Sequence, residues 1–142
     1  MKFTSKNCWA VLLGTLILSQ GCGGENGPPM GQVTGKVSYN GEPVNEGLVV
    51  FQSDDGRFAA QAELEDGGSF HLKTYLGGVP VGSYGVLVQP PTVTFPDTPD
   101  SPGGEGFKEV KNIPQKYRDK QTSGFKANVA AGSNDFAFEM KS

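Results

Sequence analysis

The sequence predicts an all-β domain: a sandwich of about seven strands, preceded by a signal-peptide helix. Three observations carry this reading. Apolar and polar residues alternate with period two in short stretches separated by turn residues. The 21 glycines and 10 prolines in 142 residues exceed average usage, as many strands joined by turns require. Beyond the leader, no segment carries the helical period. The length suits one domain, and nine Phe and four Tyr suffice for its core.

The leader comes first. Lys2 and Lys6 form a basic head, Trp9 to Leu18 an apolar run, and Ser19 and Gly21 the small residues before Cys22. This is the layout of a secretory signal over residues 1–21. Read as a transmembrane helix, about ten apolar residues at ~1.5 Å each would cover only half of a ~30 Å hydrocarbon layer. The end of the leader resembles the bacterial lipobox, with Leu18 one step early and Ser19, Gln20 and Gly21 ahead of the cysteine. That resemblance implies lipid attachment at Cys22. Cys8 lies inside the leader, so Cys22 has no partner in the mature chain. Ordinary cleavage with a free thiol, or pairing between chains, are the alternatives. Residues 22–31, rich in Gly, Asn and Pro, are expected to form a flexible tether. Removing the leader takes away Lys2 and Lys6 and no acid, moving the formal charge from −3 to −5. An acidic chain is a poor match for nucleic acid.

The domain is expected over residues 32–142. Val33, Gly35, Val37 and Tyr39 alternate with Thr34, Lys36 and Ser38 to give the first strand, and Asn40-Gly41 is a strong turn signal. Leu48 to Gln52 is apolar nearly throughout, which predicts a second strand covered on both faces. Phe58 to Leu64 and Ser69 to Thr74 alternate on either side of Glu65-Asp66-Gly67-Gly68, which predicts a β-hairpin over 58–74. Tyr84, Val86 and Val88 define the fifth strand. Phe125 to Val129 and Asp135 to Met140 give the last two, joined by a turn at Gly132-Ser133-Asn134. Residues 90–113, with Pro90, Pro91, Pro96, Pro99 and Pro102, cannot form a central strand and predict a long, mobile surface loop. Pro114 to Asp119 suits a single helical turn. The expected core is Val33, Val37, Tyr39, Val50, Leu64, Phe70, Leu72, Tyr84, Val86, Val88, Val129, Phe136 and Phe138. Tyr84 is expected to bury its ring and send its hydroxyl to a backbone group.

Two stretches resemble a known family. VTGKVSYNGEPVNEGLVVF (33–51) and GGSFHLKT with GVPVGSYGVLV (67–88) are similar to the carboxypeptidase regulatory-like, or transthyretin-like, domains. The whole chain, including IPQKYRDKQTSGFKANVAAGSNDFAFEM (113–140), resembles the small lipoproteins of planctomycete-type bacteria that carry this domain. The resemblance implies a seven-stranded, immunoglobulin-like sandwich of prealbumin type, membrane-anchored on the periplasmic or outer surface of the cell envelope. It implies no defined activity.

Catalytic chemistry finds little purchase. His71 is the sole histidine and falls on the polar face of its strand. There is no Gly-x-Ser-x-Gly elbow and no phosphate-cradling loop. One His without a mature Cys pair does not make a zinc site, and the turn acids Asp54, Asp55, Glu65 and Asp66 lack the spacing of a calcium loop. The expectation is therefore a non-enzymatic protein with no cofactor and no metal. It would bind or scaffold other envelope components, proteins or polysaccharide. The alternative is a carbohydrate-binding module, for which Phe95, Phe107 and Tyr117 are the candidate aromatics. The run Tyr117-Arg118-Asp119 sets an aromatic, a cation and an acid side by side. It can serve as a recognition spot, or pack the long loop against the sandwich. A hydrolase of the transthyretin-related kind would need several His and Arg residues that this chain lacks.

Overall fold

The alternation Val-Thr-Gly-Lys-Val-Ser-Tyr at 33–39 forms the spine of one sheet, and everything else is arranged about it. A computed structural model describes residues 27–142. The leader, Cys8, Cys22 and most of the expected tether lie outside the described residues. The strands are β1 (Met30–Tyr39), β2 (Glu42–Pro43), β3 (Leu48–Ser53), β4 (Ala59–Glu63), β5 (Ser69–Leu72), β6 (Val79–Pro80), β7 (Gly82–Gln89), β8 (Thr92–Phe95), β9 (Gly104–Phe107), β10 (Phe125–Val129) and β11 (Gly132–Met140). A 3₁₀ turn at Gln115–Arg118 and a short helix α1 (Lys120–Ser123) precede β10. The fold is an all-β sandwich of two packed sheets, with the β8–β9 hairpin beside them. Strands β1, β3, β4, β5, β7, β10 and β11 fall where the alternation predicts them.

In the first sheet, β11 runs parallel to one edge of β1, from Gly31 opposite Gly132 to Tyr39 opposite Met140. The other edge of β1 is covered in tandem by β6, β5 and β2, all antiparallel. The second sheet has the order β10-β7-β3-β4, antiparallel throughout. Asn40 and Gly41 close the turn into β2 with φ of 49° and 86°. Positive φ at both central residues matches the twist of a two-residue hairpin, which Asn-Gly tolerates. Gly35 answers a different need. A methyl there would sit against the Phe136 carbonyl and 2.6 Å from the Phe70 ring.

The inner faces meet around Phe51. Its ring centroid lies 6.1 Å from Phe70, 6.1 Å from Tyr84, 5.9 Å from Phe136 and 6.0 Å from Phe138. Val33, Val37, Leu64, Phe70, Leu72, Tyr84, Val86, Val88, Val129 and Phe138 are buried in this cluster as expected. Tyr39 and Phe136 are only partly buried and pack against it. Val50 is buried on the outer face, as is Leu87 of β7. Both faces of β3 are thus covered, Val49 and Phe51 inward and Val50 outward.

Three expectations are corrected. Residues 58–74 are not a hairpin: β4 pairs with β3 in the second sheet, while β5 pairs with β1 in the first. The turn at 65–68 is an arch between sheets, because each strand buries its apolar side against the same core from opposite layers. The tether is shorter than 22–31, since Met30 and Gly31 already pair with Pro80 and Val79. Residues 90–113 are not an unstructured loop: β8 and β9 pair as a hairpin, and Ile113 beyond it is fully buried. Among the described residues no helix is long and apolar enough to cross a membrane.

Candidate functional site: the two ends of the sandwich

The sheet registers give the molecule two distinct ends. The chain enters at Pro29, whose carbonyl accepts from Val81 N–H at 2.8 Å. Gly132 of β11, Gly82 of β7 and Ser53 of β3 fall at this same entry end. Tyr39, Gln89, Leu48 and Met140 mark the far end. The ten residues of β1 separate them by roughly 33 Å at ~3.3 Å per residue.

At the entry end an open cleft of about 500 Å³ is lined by Pro28, Phe58, Val81 and Tyr84, with Asp55 and Arg57 beside them. The Tyr84 ring is buried, as expected, and packs edge-on against Phe58 at 6.2 Å. Its hydroxyl donates to the Pro80 carbonyl at 2.6 Å, pinning β6 to β7. Burial, and secondly the charge of Asp55, raise the Tyr84 hydroxyl above its ordinary value of 10.0. Asp55 is held below its ordinary value, first by the Ser53 hydroxyl donating at 2.6 Å and then by the Arg57 backbone N–H at 3.0 Å. Those bonds are a turn motif: Ser53 and Asp55 are the residues that shape the loop into β4. Asp54 lies 3.3 Å from Lys126 and 3.8 Å from Lys120. His71 faces outward opposite Thr34, whose hydroxyl donates to Asp135 at 3.1 Å. Among the described residues, no group of three His, Cys, Asp or Glu is placed to hold a metal ion.

At the far end stands the β8–β9 hairpin. Phe95 and Phe107, singled out in the sequence, are both 54% exposed. They do not form one platform. Thr92 pairs with Phe107 and Phe95 with Gly104, so the strand alternation sends the two rings to opposite faces. Phe95 lies over Gly106, where an added Cβ would come within 2.8 Å of its ring. The hairpin is closed at its base by Lys108 N–H donating to the Pro91 carbonyl at 2.8 Å. It is tied to the body by Lys108 Nζ, 2.7 Å from Glu46.

Tyr117, Arg118 and Asp119 turn out to organise the fold. Tyr117 is only 4% exposed, stacks on Phe125 at 5.0 Å and accepts from Lys141 N–H at 3.0 Å. It therefore offers no face to a sugar, a correction to its candidacy as a ligand contact. Arg118 donates through Nε to the Ile113 carbonyl at 2.9 Å and through a terminal nitrogen to that of Val110 at 3.3 Å. It packs the long loop through these backbone carbonyls. Asp119 caps α1, accepting from Gln121 N–H at 2.7 Å. The candidate aromatics Phe95, Phe107 and Tyr117 therefore share no surface, and the 117–119 run packs the fold.

The most exposed aromatic among the described residues is a different one. Tyr75 is 94% exposed and Leu76 43%, in the excursion 73–78 between β5 and β6. Thr74 and Gly78 bracket that excursion with side-chain hydrogen bonds. The available signal was a Tyr-Leu pair just before Gly77-Gly78, too close to a turn to continue a buried strand.

No family model matches the chain, and no curated protein matches it. Among solved structures, it is similar to the crystal structure of the major pilin subunit of Bacillus cereus, with 12% identity and a TM-score of 0.46. The similarity covers 79% of this chain but only 30% of the pilin chain, so this protein spans less than a third of that subunit's length.

Proposed function

We propose that this chain is a non-enzymatic, lipid-anchored protein of the cell envelope, whose sandwich serves as a binding or scaffolding module. One observation carries the reading: the chain enters at one end, and a hairpin with exposed Phe95 and Phe107 stands at the other. A domain fixed through Cys22 would present its far end away from the lipid. The leader pattern at 1–21 and the lone Cys22 support the anchor. The resemblance of 33–51, 67–88 and 113–140 to planctomycete-type lipoproteins with a transthyretin-like domain supports the module. The partner on this reading is an envelope protein that takes the hairpin between its surfaces, because the two phenyl rings point to opposite sides. The carbohydrate alternative is weakened by that same separation and by the burial of Tyr117.

The test is the intact mass of the protein recovered from the membrane fraction of a bacterial host, with Cys22→Ser beside it. A mature chain beginning at Cys22 with diacylglyceryl and acyl mass, absent from the variant, is expected. An unmodified soluble chain would rule out the anchor. Cross-linking in whole cells from a photoreactive residue at 107 then identifies the hairpin's partner.

A further inference from the structure

We infer that the sandwich does not hang freely from its anchor but rests on the bilayer through the 73–78 excursion, with Tyr75 and Leu76 in the headgroup layer. The inference rests on the anchored reading above and adds a second, non-covalent membrane contact.

The excursion lies where it must for such a contact. β5 and β6 follow one edge of β1, opposite Val33–Lys36 and then Met30–Gly31. Residues 73–78 bulge from that edge level with the entry of the chain, and Gln32 Nε2 donates to the Gly77 carbonyl there. Val81, 40% exposed, hydrogen-bonds Pro29 at the same end. The chain from Cys22 to Met30 reaches at most about 28 Å when fully extended. A lipid at Cys22 therefore keeps this end near the surface. An amphipathic Tyr with an aliphatic neighbour suits the boundary between headgroups and acyl chains.

Charge complements shape. Lys73 belongs to the excursion, and Arg57, Lys120 and Lys126 lie at or reach toward the same end, against Asp54, Asp55 and Asp135. At the far end Glu42, Glu46, Asp66, Asp97, Asp100 and Glu105 outnumber Lys108, Lys111 and Lys141, and Lys108 is already paired with Glu46. An anionic bilayer attracts the first and repels the second, so the domain is oriented with its acidic hairpin outward.

The experiment uses the full-length chain in a Trp9→Phe background, with one tryptophan introduced by Tyr75→Trp or by Phe107→Trp. Both side chains are exposed, so neither change reaches the core. Membrane-isolated protein is placed in vesicles of phosphatidylcholine and phosphatidylglycerol, with or without bromine on the acyl chains. The tryptophan at 75 is expected to emit at shorter wavelength and lose most of its intensity to bromolipid, and the one at 107 to do neither. Adding Lys73→Glu should lessen the quenching at 75 in these anionic vesicles. Absence of quenching at 75, or equal quenching at both positions, overturns the inference. A blue shift at 75 in whole membranes that vanishes in purified vesicles assigns the loop to a protein partner and also overturns it. If the chain is recovered soluble and unmodified, the anchor fails separately. The same two variants are then mixed with vesicles, and quenching confined to 75 sustains the lipid contact without the anchor, while its absence ends it.

Discussion

Phe51 and Tyr84 show how single residues fix the sandwich. Phe51 touches aromatic rings from both sheets, so its removal opens a cavity that no one layer can close. Phe51→Ala is expected to cost about 4 kcal/mol, read as a lower urea midpoint. Tyr84 was legible in advance because a Tyr two residues after Gly82 begins a strand with an inward ring and a polar tip in need of an acceptor. Its raised hydroxyl pKa makes a pH prediction. Above the ordinary value of 10.0 the unfolded chain releases this proton while the folded chain still holds it. Tyr84 thus contributes stability that is full below about pH 10 and is lost as pH rises through the raised value. Tyr84→Phe should cost about 1 kcal/mol at neutral pH and flatten this alkaline loss. Urea midpoints of both proteins between neutral and strongly alkaline pH decide it; parallel decline would remove Tyr84 as the cause.

At the scale of elements, the 90–113 segment separates two kinds of information. Its prolines excluded a central strand, and none of it enters either main sheet. They did not exclude a detached hairpin, because Pro91, Pro96 and Pro102 fall outside the paired residues of β8 and β9. Replacing Thr92–Phe107 by a short Gly-Ser turn is expected to change stability by less than about 1 kcal/mol, since β8 and β9 pair chiefly with each other. Denaturant melts of the shortened chain check this. The segment after the hairpin is different. Ile113 enters the core and Arg118 ties the Val110 and Ile113 carbonyls down. Arg118→Ala should lower stability by about 2 kcal/mol, and Arg118→Lys should recover little, because an ammonium cannot reproduce the planar fork. A full recovery by Lys, seen in the same melts, would point to charge and not geometry. The arch at 65–68 was misread as a hairpin because alternation states which side of a strand is apolar. It is silent on which sheet the strand joins.

For the molecule as a whole, the parallel pairing of β1 with β11 is decisive. It places the last strand beside the first, with Phe138 and Met140 buried under it. A stop after residue 131 would strip one edge of β1 and expose the core, so that chain should fail to give a cooperative thermal transition in calorimetry. A truncated chain melting like the parent would refute the role assigned to β11. The same pairing sends Met140 to the end away from the entry.

The sequence by itself determined the all-β class, the positions of the seven main strands, the Asn40-Gly41 turn and most of the core. All of these follow from side-chain alternation and local backbone preference, which act within a few residues. Tertiary structure decided which strands share a sheet and that β11 runs parallel to β1. It also put Tyr117 inside, left Tyr75 in solvent and sent Phe95 and Phe107 to opposite faces. The strand partnering depends on register between strands far apart in the chain, where shifting one residue exchanges the buried face for the exposed one, and the exposure of Tyr117 and Tyr75 depends on what packs over their loops.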